Sequence, residues 1–255
     1  MSIRLLVLAA LLLAGPAMAG DSVEVRGDAA KPGPVGITAT TRLGDVFRTT
    51  QVDAESYWLG AAWLQSKLVP EQKRLKAGIL FDLSMLQQKA LLDDQPALST
   101  LARRLYDQVA SLPVSGRRLH LLDPVEVEVT PAQNSLVSPG DIFIFPARPS
   151  AVRVLGAVAA DCYFTHVPMQ QARDYSAACP SLPEADPDYV YLIQPDGQVT
   201  RLGIALWNLQ EGQPAAPGAT ILVPIKSAGP DSPVPQLNEE MAQFIATQPL
   251  SEVAQ

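Results

Sequence analysis

The chain is poor in the residues that most often build metal centres and catalytic sites. Its 255 residues include two cysteines and two histidines, too few for a four-cysteine zinc site and few for any other metal. Cationic residues are also scarce, because 19 Lys and Arg face 26 Asp and Glu, a formal net charge of -7. Since nucleic-acid binding needs a basic face, we expect no nucleic-acid partner. The scarcity of Cys and His leads us to expect no metal, and we expect no cofactor.

Long apolar runs are missing as well. Residues 5–14 form an apolar stretch of about ten residues, shorter than the ~20 that span a bilayer. Arg4 precedes it, and Ala17-Met18-Ala19 follows with the small-residue pattern of a cleavage site. The pattern predicts a signal peptide over residues 1–19, with a retained anchor as the alternative. We therefore expect a mature chain without a membrane span in an oxidising compartment, the periplasm.

The two cysteines are a candidate disulfide pair. Cys162 and Cys179 flank a predicted strand and helix and would close a short loop. In an exported protein such a bond would stabilise the fold by about 3 kcal/mol. The alternative is a pair of free, buried thiols.

Turn-forming residues and apolar residues are, by contrast, abundant. The chain has 23 prolines and 16 glycines and is 47% hydrophobic, which is too apolar for a disordered protein. Its two halves repeat loosely, and each ends on Pro-Gly before an apolar run, in "SPGDIFIFP" and "APGATILVP". The order strand, strand, helix, strand, strand in each half is that of a β-grasp domain. The predicted class is α+β with two such domains.

Periodicity assigns the individual elements. Predicted strands cover residues 23–26, 35–39, 118–122, 125–130, 142–145, 151–158, 162–167, 188–193, 199–207 and 221–224. Helices are predicted from Leu43 and over 169–178.

A helical block is predicted inside the first domain, over about residues 53–111. Three helices are expected there, beginning at Asp53, Pro70 and Pro96. The predicted domains are residues 20–148 and 149–227, followed by a linker and C-terminal helix over 228–255. That amphipathic helix carries Met241, Phe244 and Ile245 on one face, for packing on its own domain or for docking a partner.

The second half resembles the SLBB-type β-grasp module of bacterial polysaccharide export proteins. The resemblance rests on residues 152–224, with "PGATILVP" at their end. The whole chain is similar to the GfcC family of periplasmic capsule-biosynthesis proteins, through the leader, "LPVSGRR" at 112–118 and "ALWN" at 205–208. The resemblance implies domains arranged as in a capsule translocon, a helical insertion and a C-terminal helix that packs back on the body.

The resemblance also implies a candidate ligand site. An arginine at the position of Arg117 lines a cleft between the domains in that family, and Arg118 is its neighbour. A guanidinium suits carboxylate or hydroxyl-rich ligands; the alternative is an arginine that binds carbonyls at the domain junction. Trp207 and Asn208 are further candidates, as a surface that stacks on sugar or as ordinary core.

These observations predict a non-enzymatic accessory protein of capsule or exopolysaccharide assembly or export. Its expected partners are the export machinery, including the outer-membrane translocon, and the polysaccharide. Two alternatives remain: a polysaccharide-modifying or hydrolysing enzyme, and a purely structural adaptor. No catalytic residues are predicted, since Glu126 and Glu128 fit a solvent-facing strand better than a pair across a glycosidic bond.

Overall fold

The computed structural model describes residues 21–52, 56–210, 212, 214–226 and 232–250. The predicted signal peptide, the proposed helix start at Asp53 and residues 228–231 of the linker lie outside this part. None of the helices in the described residues is both long and apolar enough to cross a membrane.

The first half of the chain builds a five-stranded sheet and four helices. In chain order these are β1 (Ser22–Gly27), β2 (Gly33–Gly36), α1 (Leu43–Thr50), β3 (Ala62–Leu64), α2 (Val69–Leu92), α3 (Pro96–Ser111), β4 (Arg117–Arg118), α4 (Pro124–Val129) and β5 (Ile142–Phe145).

The second half builds another five-stranded sheet and two helices. They are β6 (Ala151–Gly156), β7 (Cys162–Thr165), α5 (Ala172–Ala178), β8 (Tyr189–Ile193), β9 (Val199–Gly203), β10 (Thr220–Val223) and α6 (Leu237–Ala246).

The two sheets have the same topology, which confirms an α+β protein made of two related units. The strand orders are β2-β1-β5-β3-β4 and β7-β6-β10-β8-β9. In each sheet the first and last strands of the unit lie side by side and parallel, with Val25 opposite Phe143 and Val154 opposite Ile221. All other strand pairs are antiparallel.

The helical insertion lies between β3 and β4 of the first sheet but packs on the second. Helices α2 and α3, with Ile79, Leu83 and Leu105, share one hydrophobic cluster with the second sheet and α6. The predicted helices from Pro70 and Pro96 are confirmed, because each has proline in its first turn and an apolar stripe that is buried.

Arg104, a partly buried residue of α3, holds this helix against the second unit. The Arg104 guanidinium donates hydrogen bonds to the carbonyls of Gly156 (2.8 Å) and Ala159 (2.9 Å), and to Val158 (2.6 Å). Three carbonyls at and just after the end of β6 thus accept hydrogen bonds from the other half of the chain, so the insertion joins the two units.

The second sheet is covered on both faces. Phe164, on the same face as Val152 through strand pairing, packs on Tyr175 of α5 with ring centroids 6.0 Å apart. Because side chains alternate along a strand, Arg153 and Leu155 face the other side, towards α3 and α6.

The helix predicted from Asp53 is wrong in its described part. Residues Ala62–Leu64 form strand β3 between two 3-10 turns. Trp63 is fully buried and pairs with Phe143 of β5 and Arg118 of β4. Long-range pairing therefore overrides the apolar spacing that suggested a helix.

The strand predicted over 125–130 is also wrong, because residues Pro124–Val129 form helix α4. The Asp123 carboxylate accepts hydrogen bonds from the amides of Val125 (2.9 Å) and Glu126 (3.5 Å). A side-chain cap followed by proline starts a helix. Only Val127 of the three alternating valines is buried, so alternation there did not reflect a sheet face. The neighbouring predicted strand at 118–122 shrinks to Arg117–Arg118.

Helices α2 and α6 meet at a group of carboxylates whose titration should be measurable. Burial, then the charges of Asp82 and Glu239, raise the pKa of Glu240. The folded state thus binds a proton at Glu240 more tightly than the unfolded chain does, so stability falls as pH rises through that raised pKa.

We predict that Glu240→Gln raises the melting temperature at pH 7, where the carboxylate is charged, and that the gain disappears below about pH 4, where both forms are neutral. Thermal unfolding across pH checks this, with Glu128→Gln on exposed α4 as the control. An equal gain from both variants at pH 7 would show that Glu240 has no special effect.

Candidate functional site

The insertion closes on a tight backbone junction that positions Arg117. Gly116 has φ +72°, and a Cβ there would lie 2.5 Å from the carbonyl oxygen of Gln65, so the site requires glycine. The Gln72 amide of α2 spans the junction: it accepts from the Gly116 amide (2.8 Å) and donates to the Arg117 carbonyl (2.9 Å).

The Arg117 side chain is buried, with 4% of the residue exposed, and its two terminal nitrogens donate to four backbone carbonyls. The acceptors are Ala61 (3.0 Å), Pro195 (2.6 Å), Ala246 (3.2 Å) and Gln248 (3.2 Å). Burial lowers the pKa of Arg117 to about 10, and the Asp196 charge opposes that shift. This arrangement matches the alternative interpretation, an arginine that binds carbonyls where the units meet.

Arg118 follows directly but has different surroundings. Its guanidinium lies 4.4 Å from the ring centroid of Trp63, and the Trp63 indole donates to the buried Asp141 carboxylate (2.8 Å). Arg118 lines a second groove with Leu119 and Gln198, and Arg117 is among the residues of that groove. The two guanidinium groups nevertheless have different partners, backbone carbonyls for Arg117 and the Trp63 ring for Arg118.

Trp207 and Asn208 lie apart from Arg117, on the loop after β9. Trp207 is 71% exposed; its indole N–H donates to Asp188 (3.1 Å), and its ring meets the Tyr189 ring edge-on. Asn208 fixes the loop, because its amide donates to the Asp188 carbonyl (3.0 Å) and accepts from the Ala205 amide (3.0 Å). The Asn208 side chain is thus engaged in hydrogen bonds with the backbone, whereas most of the Trp207 ring is exposed for contact with another molecule.

A cavity of about 420 Å³ lies between the second sheet and helices α3 and α6. Its wall includes Leu155 of β6, Val109 of α3 and Met241 of α6, and the C-terminal segment 246–250 forms one side. Arg117 is among its lining residues. The volume lies within the roughly 300–1,000 Å³ range of small-ligand sites.

Polar side chains gather at the exposed end of this cavity. Arg153 donates to the Asp161 carboxylate at 2.5 Å, and the Gln108 amide of α3 donates to the same carboxylate at 3.3 Å. The Arg153 guanidinium also lies 5.6 Å from the ring of Tyr163, which is 63% exposed. We call these four residues the cavity mouth.

Sequence reasoning did not identify the cavity mouth. The one available indication was Arg153, a charged residue inside the apolar strand "AVRVLG". Gln108, Asp161 and Tyr163 come from α3, a loop and β7, and only the packing of the insertion on the second sheet brings them together.

The bond between Cys162 and Cys179 borders the mouth. The structure joins these residues by a disulfide, which ties the start of β7 to the C-terminal end of α5. Because Cys162 lies between Asp161 and Tyr163, the bond restrains the backbone that carries two mouth residues.

The architecture defines the class of protein: a two-unit α+β protein with a cavity enclosed where an insertion of one unit packs on the sheet of the other. The family model "Capsule biosynthesis GfcC, N-terminal" matches residues 22–147, and "Capsule biosynthesis GfcC C-terminal" matches residues 163–249. The chain belongs to the GfcC capsule-biosynthesis family.

One curated protein is similar to this chain over about three quarters of its length. The protein "Uncharacterized protein YjbG" of Escherichia coli (strain K12) is 24% identical over 192 residues. The match covers 75% of this chain and 76% of the relative's length. The matched families indicate a role in capsule assembly.

We predict that Arg117→Met lowers the free energy of unfolding by about 3 kcal/mol or more, because it leaves buried carbonyls without donors. The matched change Arg118→Met should cost about 1 kcal/mol, the value of an accessible cation–π contact. Urea unfolding followed by circular dichroism measures both. Equal, small losses would contradict the structural role of Arg117.

We predict that reduction of the Cys162–Cys179 bond lowers the free energy of unfolding by about 3 kcal/mol. Unfolding curves with and without reductant measure the loss. The double variant Cys162→Ser/Cys179→Ser should be as unstable as the reduced protein and should not respond to reductant. Identical stability of the oxidised and reduced wild type would show that the bond does not restrain this region.

Proposed function

We propose that the protein is a periplasmic accessory factor of capsule or exopolysaccharide assembly or export, which acts by binding rather than by catalysis. The family match supports the process, and the N-terminal sequence pattern supports the compartment. We further propose that both units are β-grasp domains of the SLBB type found in polysaccharide export proteins, since the two sheets share one strand order.

The observation that carries the binding role is the cavity mouth. It combines an exposed aromatic ring, Tyr163, with a guanidinium, a carboxylate and an amide within one cluster. These groups supply donors and acceptors beside an apolar ring face, the combination that a hydroxyl-rich sugar requires.

Binding is favoured over hydrolysis by the residues of the cavity itself. Glycoside hydrolysis normally uses two carboxylates on either side of the bond. The described residues that line the cavity interior include neither Asp nor Glu. The cavity mouth contributes a single carboxylate, Asp161, which is paired with Arg153.

An adaptor role has its own supporting feature, the loop that carries Leu206 and Trp207. Leu206 is 98% exposed beside the exposed indole of Trp207, and the hydrogen bonds of Asn208 hold the loop in place. An ordered apolar projection of this kind fits contact with a protein of the export machinery.

We predict that Tyr163→Ala weakens binding of purified capsular oligosaccharide about tenfold, the equivalent of one aromatic contact. Trp207→Ala should leave this affinity unchanged and instead reduce recovery of export-machinery proteins in a pull-down from the producing cells. Isothermal titration calorimetry measures the first effect.

The opposite pattern would assign sugar binding to the Trp207 loop. Oligosaccharide binding that ignores both substitutions, or no binding at all, would contradict the glycan-binding role. Turnover of the oligosaccharide by the purified protein would instead support the enzyme alternative.

A further inference from the structure

The cavity changes character between its mouth and its interior. Behind the cavity mouth, the wall is mainly aliphatic and comes from three parts of the fold. The apolar side chains are Leu105, Val109 and Leu112 of α3 and its end, Leu155 and Ile193 of the sheet, and Met241, Ile245 and Leu250 of the C-terminal region.

Most polar side chains of the interior are already engaged with the protein. The terminal nitrogens of Arg117 donate to four carbonyls. The Gln194 amide donates to the Pro214 carbonyl (2.9 Å) and accepts from the Ala216 amide (3.0 Å). Gln248 donates to the Pro113 carbonyl (3.2 Å).

A sugar ring placed in this interior would therefore lose water without gaining partners. Each polar group buried without a hydrogen bond weakens binding severalfold or more. An aliphatic chain has no such loss and gains about fourfold in affinity for each methylene that it buries. The interior thus selects for a hydrocarbon chain.

The mouth has the opposite preference. The Arg153 side chain is 37% exposed, so its guanidinium can meet a ligand, although its Nε is buried and out of a ligand's reach. The guanidinium is already paired with Asp161, which makes the cluster close to neutral and favours an uncharged, hydroxylated group over an anion. The exposed ring of Tyr163 adds an apolar surface for a sugar face.

We propose that the cavity binds an amphiphile, with its aliphatic chain in the interior and its hydroxyl-rich head group at the cavity mouth. This inference rests on the binding role proposed above and names the ligand class, a glycolipid-like molecule. The volume is sufficient, because an apolar cavity of about 150 Å³ holds a benzene ring and this one measures about 420 Å³.

Alkyl β-glucosides of six, eight and ten carbons, kept below their micelle concentrations, test the proposal by titration calorimetry. Glucose and sodium octanoate are the comparison ligands. Affinity should rise about fifteenfold for every two methylenes that the cavity buries, octyl glucoside should bind tighter than octanoate, and glucose should not bind measurably.

Two variants show whether the chain enters the cavity. Ala151 lines the cavity at the half-buried start of β6, so Ala151→Phe should fill the space and remove most of the chain-length dependence. The matched change Ala132→Phe, at an exposed position of the first unit, should bind the series like wild type. Arg153→Met should weaken octyl glucoside more than octanoate.

Failure of this inference is distinct from failure of the proposed function. Affinity for capsular oligosaccharide together with no dependence on alkyl length would overturn the amphiphile and leave glycan binding intact. Chain-length dependence that Ala151→Phe and Ala132→Phe alter equally would place the chain elsewhere and would also overturn the proposal. Should Ala151→Phe fail to fold, the wild-type alkyl series and the Arg153→Met comparison decide.

Discussion

The arrangement of the two units depends on one buried guanidinium. Arg117 begins β4, the edge strand of the first sheet, directly after the insertion. Its guanidinium reaches carbonyls from the first unit, from the β8–β9 turn of the second and from the end of α6. A guanidinium suits this task because its donors diverge in a fixed plane. Its charge is retained in a buried site because each terminal nitrogen has acceptors. The sides of the cavity are made of these same segments, so the cavity exists only while the junction holds.

The insertion explains why the two halves differ despite their common topology. Residues 65–116 leave the first sheet between β3 and β4 and cover the free face of the second sheet. The chain returns to the first sheet at Gly116, where hydrogen bonds with the Gln72 side chain fix the backbone. The second sheet therefore has two helical layers, whereas the first packs around α1 with Phe47, Phe143 and Phe145 in edge-on contact. Helices α3 and α6 do not fill the face that they cover, and the unfilled space is the cavity. The insertion that joins the units thus also encloses the cavity.

The preference of the cavity for polar or apolar groups follows from how its own polar side chains are distributed along it. Deep in the cavity, backbone carbonyls and amides use the hydrogen-bonding capacity of Arg117 and Gln194, which leaves aliphatic walls for a ligand. At the mouth, Arg153 and Asp161 form an ion pair beside the exposed ring of Tyr163. This division underlies the amphiphile that we propose as the ligand of this member of a capsule-biosynthesis family. The Trp207 loop lies outside the cavity and offers a separate contact surface.

The sequence alone determined the features that depend on local chemistry. The repeated Pro-Gly endings predicted two units, prolines in first turns and apolar stripes predicted α2 and α3, and the family resemblance directed attention to Arg117. Strand β3 and the cavity mouth were decided by tertiary structure, whereas helix α4 follows a local signal, the Asp123 cap and Pro124, that the alternating valines concealed. A three-residue strand has too short a pattern to identify, and a capped helix can carry alternating valines when only Val127 must be buried. Gln108 of the mouth lies more than fifty positions before Tyr163 in the chain. Their proximity comes from the packing of the insertion on the other unit. Burial of the insertion's apolar face would be favourable against any complementary apolar surface, so the local sequence pattern does not specify which surface it covers.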